Sequence, residues 1–493
     1  MLQTITPEQA GISSRWITKL VKTLNKRGLA THSLLLLRGD RIFAEYYWKP
    51  FHACFCHRQY SQTKSYVSVA IGLLEEDGLL SLDDRIVDHF PEKIETEVPE
   101  YLRQMTIRQM LTMETCSKVP NWFRHTDPDR THLYLNENTA PIPGGMRFQY
   151  DSPGSQVMSS LVEKLSGKCL FDFLNERIFQ HLDAFHTATI LKTPNGDSFG
   201  DSALVCTPRD MAAFARFVMN YGTWHGKRLM NEAYLRTATS RIVDTHDSGF
   251  DDLESHGYGY QFWRCPRNGF FFNGMGGQLT FCFPDQDLIC VINSDNQGFS
   301  SAKSLLFAAL EDLILDNLQP DALPEDPEGH AEALAVGDTL ELVTMTGDAF
   351  SPFAEKLNDR VYLCNENPTG ITKFSFTFQE DGTGVWKYTN AQGDKELPFG
   401  LGKNVFGKFP QYGYSDLYCR VPTTNGFLYD CAASAAWGEE QKLLLRVQVI
   451  DRYFGNLCAI FSFRDDVATV TMSKTAEFFL MEYVGEFVAF LEK

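Results

Sequence analysis

Apolar positions near the start of the chain recur at helical spacing. Ile17, Leu20, Val21 and Leu24 form one face, and Thr6-Pro7-Glu8-Gln9 reads as the start of that helix. The run 33–45 then switches to strand texture. It predicts two strands joined by a Gly39-Asp40 turn. From Ser61 to Asp77 the helical period returns, with Val67, Ala70, Ile71 and Leu74 on one buried face, and Gly78 stops it. Further helices are predicted over 107–113, 155–165, 170–181 and 208–221. Strands follow at 269–273, 278–283 and 288–293, and then a helix over 303–315. Strands at both ends and helices between them predict an α+β domain whose sheet joins early and late segments.

The texture changes after residue 316. Three prolines and several acids in 317–329 read as part of an interdomain linker over 317–335. Beyond it, Phe374-Ser375-Phe376-Thr377-Phe378 alternates, as does the run 443–449. The expected organisation is a first domain over 1–316, the linker, and a β-rich domain over 336–493, a small barrel or sandwich. At 493 residues, two cores are the expectation on size alone.

Charge and motifs remove several function classes. A net charge of -18 opposes binding to nucleic acid or anionic lipid. The N-terminus has no basic region followed by an apolar run, and the longest early apolar run, 34–37, is far too short to span a bilayer. A cytoplasmic protein with no membrane partner is the expectation. The twelve cysteines include only one close pair, Cys54 and Cys56, whose C-x-C spacing is not that of common zinc or redox motifs. Neither H-E-x-x-H nor a G-x-S-x-G elbow is present, so neither a metal hydrolase nor an α/β-hydrolase is expected.

Three segments carry chemistry. In Ser61-Gln62-Thr63-Lys64, residues three apart share a helix face, so Lys64 can take a proton from the Ser61 hydroxyl. The helix start supplies N–H groups for an oxyanion. Tyr150, in Phe148-Gln149-Tyr150-Asp151-Ser152, can relay protons beside that pair. Asn273-Gly274-Met275-Gly276-Gly277-Gln278 lets a backbone approach a ligand closely. Singly, each has a plain structural reading: an N-cap serine with a solvated lysine, a packed tyrosine, a turn at a strand edge.

Together, in this order, they resemble the serine β-lactamase and penicillin-recognising hydrolase superfamily. The nearest branch holds class C β-lactamases, D-amino-acid peptidases, β-lactamase-like esterases and 6-aminohexanoate-dimer hydrolases. The resemblance runs over about residues 5 to 315 and includes 78–84, 105–113, 207–211, 222–229 and 257–260. It implies a β-lactamase/transpeptidase-like domain, an antiparallel sheet flanked by helices with a helical subdomain. Residues 397–402 and 435–437 resemble the lipocalin-like domains appended to cytoplasmic members. The implied catalytic residues are Ser61, Lys64 and Tyr150. Ser152, Met275, Gly276, Gly277 and Gln278 are implied for substrate and oxyanion binding, with no cofactor and no metal.

Two departures bear on the substrate. Met275 stands where the family often has Lys or His, and Met cannot pair with a substrate carboxylate. Ser152 stands where Asn is common, and residues 114–117 replace a more usual Thr-Ser-Gly. The resemblance implies a serine hydrolase acting on a small-molecule ester, amide or lactam, D-amino-acid peptides included. An acyltransferase or a non-catalytic binding protein on the same fold stays open, and so does a homo-oligomer.

Overall fold

Thr6 and Gln9 exchange the two hydrogen bonds of a capping box, but the turn they open is a single one. Gly11, at φ +85°, ends it, and helix α1 (Ser14–Lys26) starts afresh behind Ser13, whose side chain accepts from Arg15 N. The local cap signal is real. The chain lacks only the length to continue it.

The computed structural model describes residues 2–123, 125–412, 428–439, 441–476 and 479–493. The chain divides into two compact units, Met1–Glu341 and Leu342–Lys493. Among the described residues no helix is long and apolar enough to cross a membrane.

The first unit is built on seven strands: β1 (Gln3–Thr4), β2 (Thr31–Arg38), β3 (Arg41–Tyr47), β4 (Trp263–Cys265), β5 (Gly269–Gly274), β6 (Gln278–Phe283) and β7 (Leu288–Ser294). Their order is β1-β3-β2-β7-β6-β5-β4. All neighbours are antiparallel except β1 and β3. The early and late strands meet through β2 and β7, as the α+β reading requires.

Alternate residues of these strands point to opposite faces. Leu34, Leu36, Phe281 and Ile292 pack with Ile17, Leu20 and Leu24 of α1. Leu35, Leu37, Phe272 and Val291 pack with the helices of the other layer. The run Leu34 to Leu37 is continuous because both faces of the sheet are covered.

Helix α2 (Thr63–Glu76) follows a 3-10 turn at Tyr60–Gln62. The sequence pattern gives it one buried face, yet every residue from Thr63 to Leu74 is buried. It lies between the sheet layer and helix α3 (Ser152–Ser166), so no side faces water. Its serines and glycine are what that position demands. A Cβ at Gly72 would stand 2.4 Å from Met230 Cε, and Ser68 Oγ is 3.2 Å from the Tyr234 hydroxyl. Helix α4 (Pro208–Met219) packs on β2, β6 and β7. The helix expected over 170–181 is broken by a π turn at Asn175–Phe179 and ends at Asp183, φ +51°. Helix α5 (Ala302–Leu313) lies with α1 on the first face.

The segment 317–335, read from sequence as a linker, belongs to the first unit. Helix α6 (Pro327–Asp338) sits on α1, with Arg15 2.9 Å from Asp326 and Lys22 2.9 Å from Glu332. Tyr46 Oη donates to Ala333 O at 3.1 Å. Asp326, Glu328 and Glu332 pair with the basic outer side of α1. The unit boundary falls after Glu341 instead.

The second unit holds strands β8 (Tyr362–Cys364), β9 (Lys373–Phe378), β10 (Thr383–Asn390), β11 (Gly393–Leu401), β12 (Val405–Lys408), β13 (Asp430–Glu439), β14 (Lys442–Ile450), β15 (Phe454–Arg464), β16 (Val467–Ala476) and β17 (Gly485–Leu491). Nine close a barrel in the order β11-β10-β9-β8-β17-β16-β15-β14-β13, and among the described residues β12 pairs with β13 alone. The closure is the short parallel pairing of Gly400 with Ser434 and Leu401 with Ala435. The two segments that carried the resemblance here, 397–402 and 435–437, thus meet at the seam. Rings fill the buried side, with Phe376 and Trp386 at 4.9 and 5.6 Å from Phe461.

Candidate active site

Ser61 sits in the 3-10 turn that leads into α2, at the amino end of a buried helix. Tyr60, just before it, holds φ +47°, a conformation costly for a bulky side chain. Its ring packs under the Arg58 guanidinium at 4.7 Å. Lys64, one turn on, is 2 % exposed. Its Nζ lies 3.0 Å from Ser61 Oγ and donates to Asp201 O at 2.7 Å. Burial raises the pKa of the Asp201 carboxyl, and nearby Lys64, Arg58 and Arg130 oppose that rise.

A chain of buried amides ties this turn to the sheet. Thr280 Oγ1 of β6 donates to Gln62 Oε1 at 2.8 Å, and Gln62 Nε2 donates to Gln59 Oε1 at 3.2 Å. Asn293 Nδ2 of β7 is shared between Gln59 Oε1 and Gln278 Oε1, 3.3 Å from each. Gln278 Nε2 then donates to Met275 O at 2.9 Å and to Ser294 O at 2.6 Å. The turn holding Ser61 and the loop 275–278 share one network.

The loop's backbone explains its glycines. Strand β4 pairs with β5 only as far as Phe271, so the end of β5 passes against the Ser61 turn instead. A Cβ on Gly274 would stand 2.3 Å from Gln59 O. Gly276 and Gly277 hold φ +78° and +89°, and a Cβ on Gly277 would stand 2.4 Å from Ser294 Oγ. Each of these contacts needs a residue without a side chain.

Tyr150 is half-buried, with its ring centroid 5.2 Å from Lys64 Nζ. Its neighbours fix it. Gln149 N donates to Met113 O, and Asp151 caps α3 by accepting from Gly154 N while taking a 2.9 Å hydrogen bond from Tyr134 Oη. Burial raises the Asp151 pKa.

These residues meet at a cavity of about 600 Å³, lined by Ser61, Tyr150, Trp263, Met275, Gly276 and Gly277 among others. One expected site residue lies off the cavity wall, and another keeps its side chain out of it. Ser152 heads α3 and is not part of the cavity wall. Gln278 is fully buried and spends its amide on the loop. Its side chain holds the loop in position, while its main-chain N–H remains part of the 275–278 stretch expected to receive an oxyanion. Trp122 and Trp224 belong to the core, whereas Trp263 walls the cavity. Cys54 and Cys56 lie outside the lining, and every cysteine among the described residues is a free thiol. No cluster of three or more His, Cys, Asp or Glu stands ready for a metal among the described residues.

Sequence reasoning missed a second group on the same wall: Phe250, Asp251, Glu254, Asn296 and Lys303. They come from a loop, a strand end and a helix start far apart in the chain. Phe250, Asp251 and Glu254 are local to one another, but no spacing links them to Asn296 or Lys303.

The family model of the beta-lactamases matches residues 15–312. A curated 6-aminohexanoate-dimer hydrolase of Paenarthrobacter ureafaciens is 26% identical over 281 residues, which is 53% of this chain and 71% of that protein. Among solved structures, an octameric penicillin-binding protein homologue from Pyrococcus abyssi aligns with a TM-score of 0.50 at 13% identity, covering 96% of this chain and 99% of that one. A hydrolase with promiscuous acyltransferase activity aligns with a TM-score of 0.51 at 13% identity, covering 60% and 97%.

Proposed function

Because the chain belongs to the beta-lactamase family, we propose that it is a serine hydrolase working through an acyl-enzyme on Ser61. The observation that carries this reading is the 3.0 Å contact between Lys64 Nζ and Ser61 Oγ at the wall of an open cavity. Ser61 Oγ attacks the substrate carbonyl, and its proton passes to Lys64. Main-chain N–H groups of Ser61 and of the 275–278 loop receive the oxyanion. The tetrahedral intermediate collapses, the bond to the leaving group breaks, and Tyr150 with Lys64 returns a proton to that group. Water repeats the sequence on the ester and frees Ser61.

The bond cleaved is an ester or amide of a small molecule. The amide that names the Paenarthrobacter relative supports the amide branch. Met275 offers no donor to a carboxylate at its position, which argues against substrates read through one, penicillins included. Intact mass after exposure to a fluorophosphonate tests the serine. One adduct on the wild type and none on Ser61→Ala is expected. An adduct that persists in Ser61→Ala would move the nucleophile elsewhere. Acyl transfer to an amine or alcohol uses the same residues, and product analysis with added acceptor separates it from hydrolysis.

A further inference from the structure

The cavity that exposes Ser61 is also charged. Among the described residues lining it, the ionic ones are Asp251, Glu254 and Lys303, two carboxylates against one ammonium. Lys303 Nζ lies 2.6 Å from Glu254 Oε1 and 3.7 Å from Asp251 Oδ2. Asn273 Nδ2 also donates to Glu254 Oε1. Glu254 is buried and meets both partners through Oε1, while Asp251 is the more exposed carboxylate, with Oδ1 capping Glu254 N.

Aromatic rings stand beside these acids. Tyr150, Phe250 and Trp263 line the same cavity, with centroids 5.7, 6.0 and 5.4 Å apart pairwise. Carboxylate and electron-rich rings together favour a cation.

An anionic substrate would meet the opposite situation. Lys303 is the cation of the lining, and drawing it away would leave Glu254 buried and unpaired. Met275 supplies no replacement.

We propose that this cavity selects substrates carrying an ammonium group, held by Asp251 and the rings of Tyr150, Phe250 and Trp263, and rejects those with a carboxylate there. The proposal rests on the reading of Ser61 as the nucleophile and adds the substrate class.

Three matched p-nitrophenyl esters test it on the full chain: that of γ-trimethylammoniobutyrate, its neutral tert-butyl isostere, and the half-ester of glutarate. The cationic ester should exceed the neutral one in kcat/KM by about tenfold. The anionic ester should be the slowest. In Asp251→Asn, which keeps a side-chain oxygen for the Glu254 N–H, the cationic-to-neutral ratio should fall toward one. A neutral ester turned over as well as the cationic one, or a ratio unmoved in Asp251→Asn, overturns the proposal while leaving the serine reading intact. No turnover of any ester together with no fluorophosphonate adduct removes the serine reading, and this inference with it. If labelling occurs without turnover, protection of Ser61 by γ-trimethylammoniobutyramide supports the proposal, and equal protection by its tert-butyl isostere overturns it.

Discussion

Lys64 Nζ stands 3.0 Å from Ser61 Oγ, one helical turn away, in a side chain that is otherwise buried. That contact should set the chemical step. Lys64→Met should lower kcat on a neutral p-nitrophenyl ester by about 10²–10⁴-fold, the usual worth of a positioned base. Lys64→Arg should not restore it, because a guanidinium does not give up its proton in a protein. Steady-state kinetics on both variants, with circular dichroism as a check on folding, decides the matter.

Tyr150 is placed by its neighbours and touches Lys64 through its ring. Tyr150→Phe keeps the ring packing against Trp263 and Phe250 and removes only the hydroxyl. The expected result is a fall in kcat of about 10²-fold with thermal stability unchanged. A variant with full kcat would strip the hydroxyl of its proposed role and leave the ring as a wall.

Gly274 lies where the sheet passes the Ser61 turn, with Gln59 O 2.3 Å from where a Cβ would sit. Gln59 O is a main-chain atom, so Gly274→Ala must push the two segments apart. It should cost about 1–3 kcal/mol of stability and more than tenfold in kcat/KM. Thermal melting and ester kinetics on one preparation would show both effects together.

Gln278 joins the same network without reaching the cavity. Gln278→Leu keeps the volume and removes the bonds to Met275 O and Ser294 O. Because it acts by positioning the loop, kcat should fall while fluorophosphonate still labels Ser61. Loss of labelling would mean that the loop is needed for the nucleophile itself.

The buried pair His32 and His57 predicts a pH effect on stability. Their ring nitrogens are 2.8 Å apart, and burial lowers the His57 pKa from 6.5 to about 3. The unfolded chain therefore binds a proton that the folded chain refuses, once the pH drops below 6.5. Stability should be level above that value and fall between about pH 6.5 and 3, with a slope near 1.4 kcal/mol per pH unit from this group. Urea unfolding across that range measures it, and His57→Gln should flatten the curve.

The sequence by itself determined most of the strands and helices and the offset between Ser61 and Lys64. Local patterns are enough for a strand pair with a Gly39-Asp40 turn, for the Ser61 to Lys64 offset, and for the change to alternating strands beyond residue 345. Each depends on residues a few positions apart, and the backbone's fixed periods turn such spacing into geometry. The family resemblance drew on the same short motifs.

Tertiary structure decided what neighbours do to those elements. It buried α2 on all sides because two layers enclose it, and it drew the acidic stretch at 326–332 onto the basic side of α1. It turned Gln278 inward, where Asn293 and Ser294 use up its amide, and it left Ser152 off the cavity wall. Above all it brought Phe250, Asp251, Glu254, Asn296 and Lys303 to the surface that exposes Ser61. They come from three segments, 250–254, the end of β7 and the start of α5, and only packing brings those segments to one wall, which is why spacing along the chain could not announce the group.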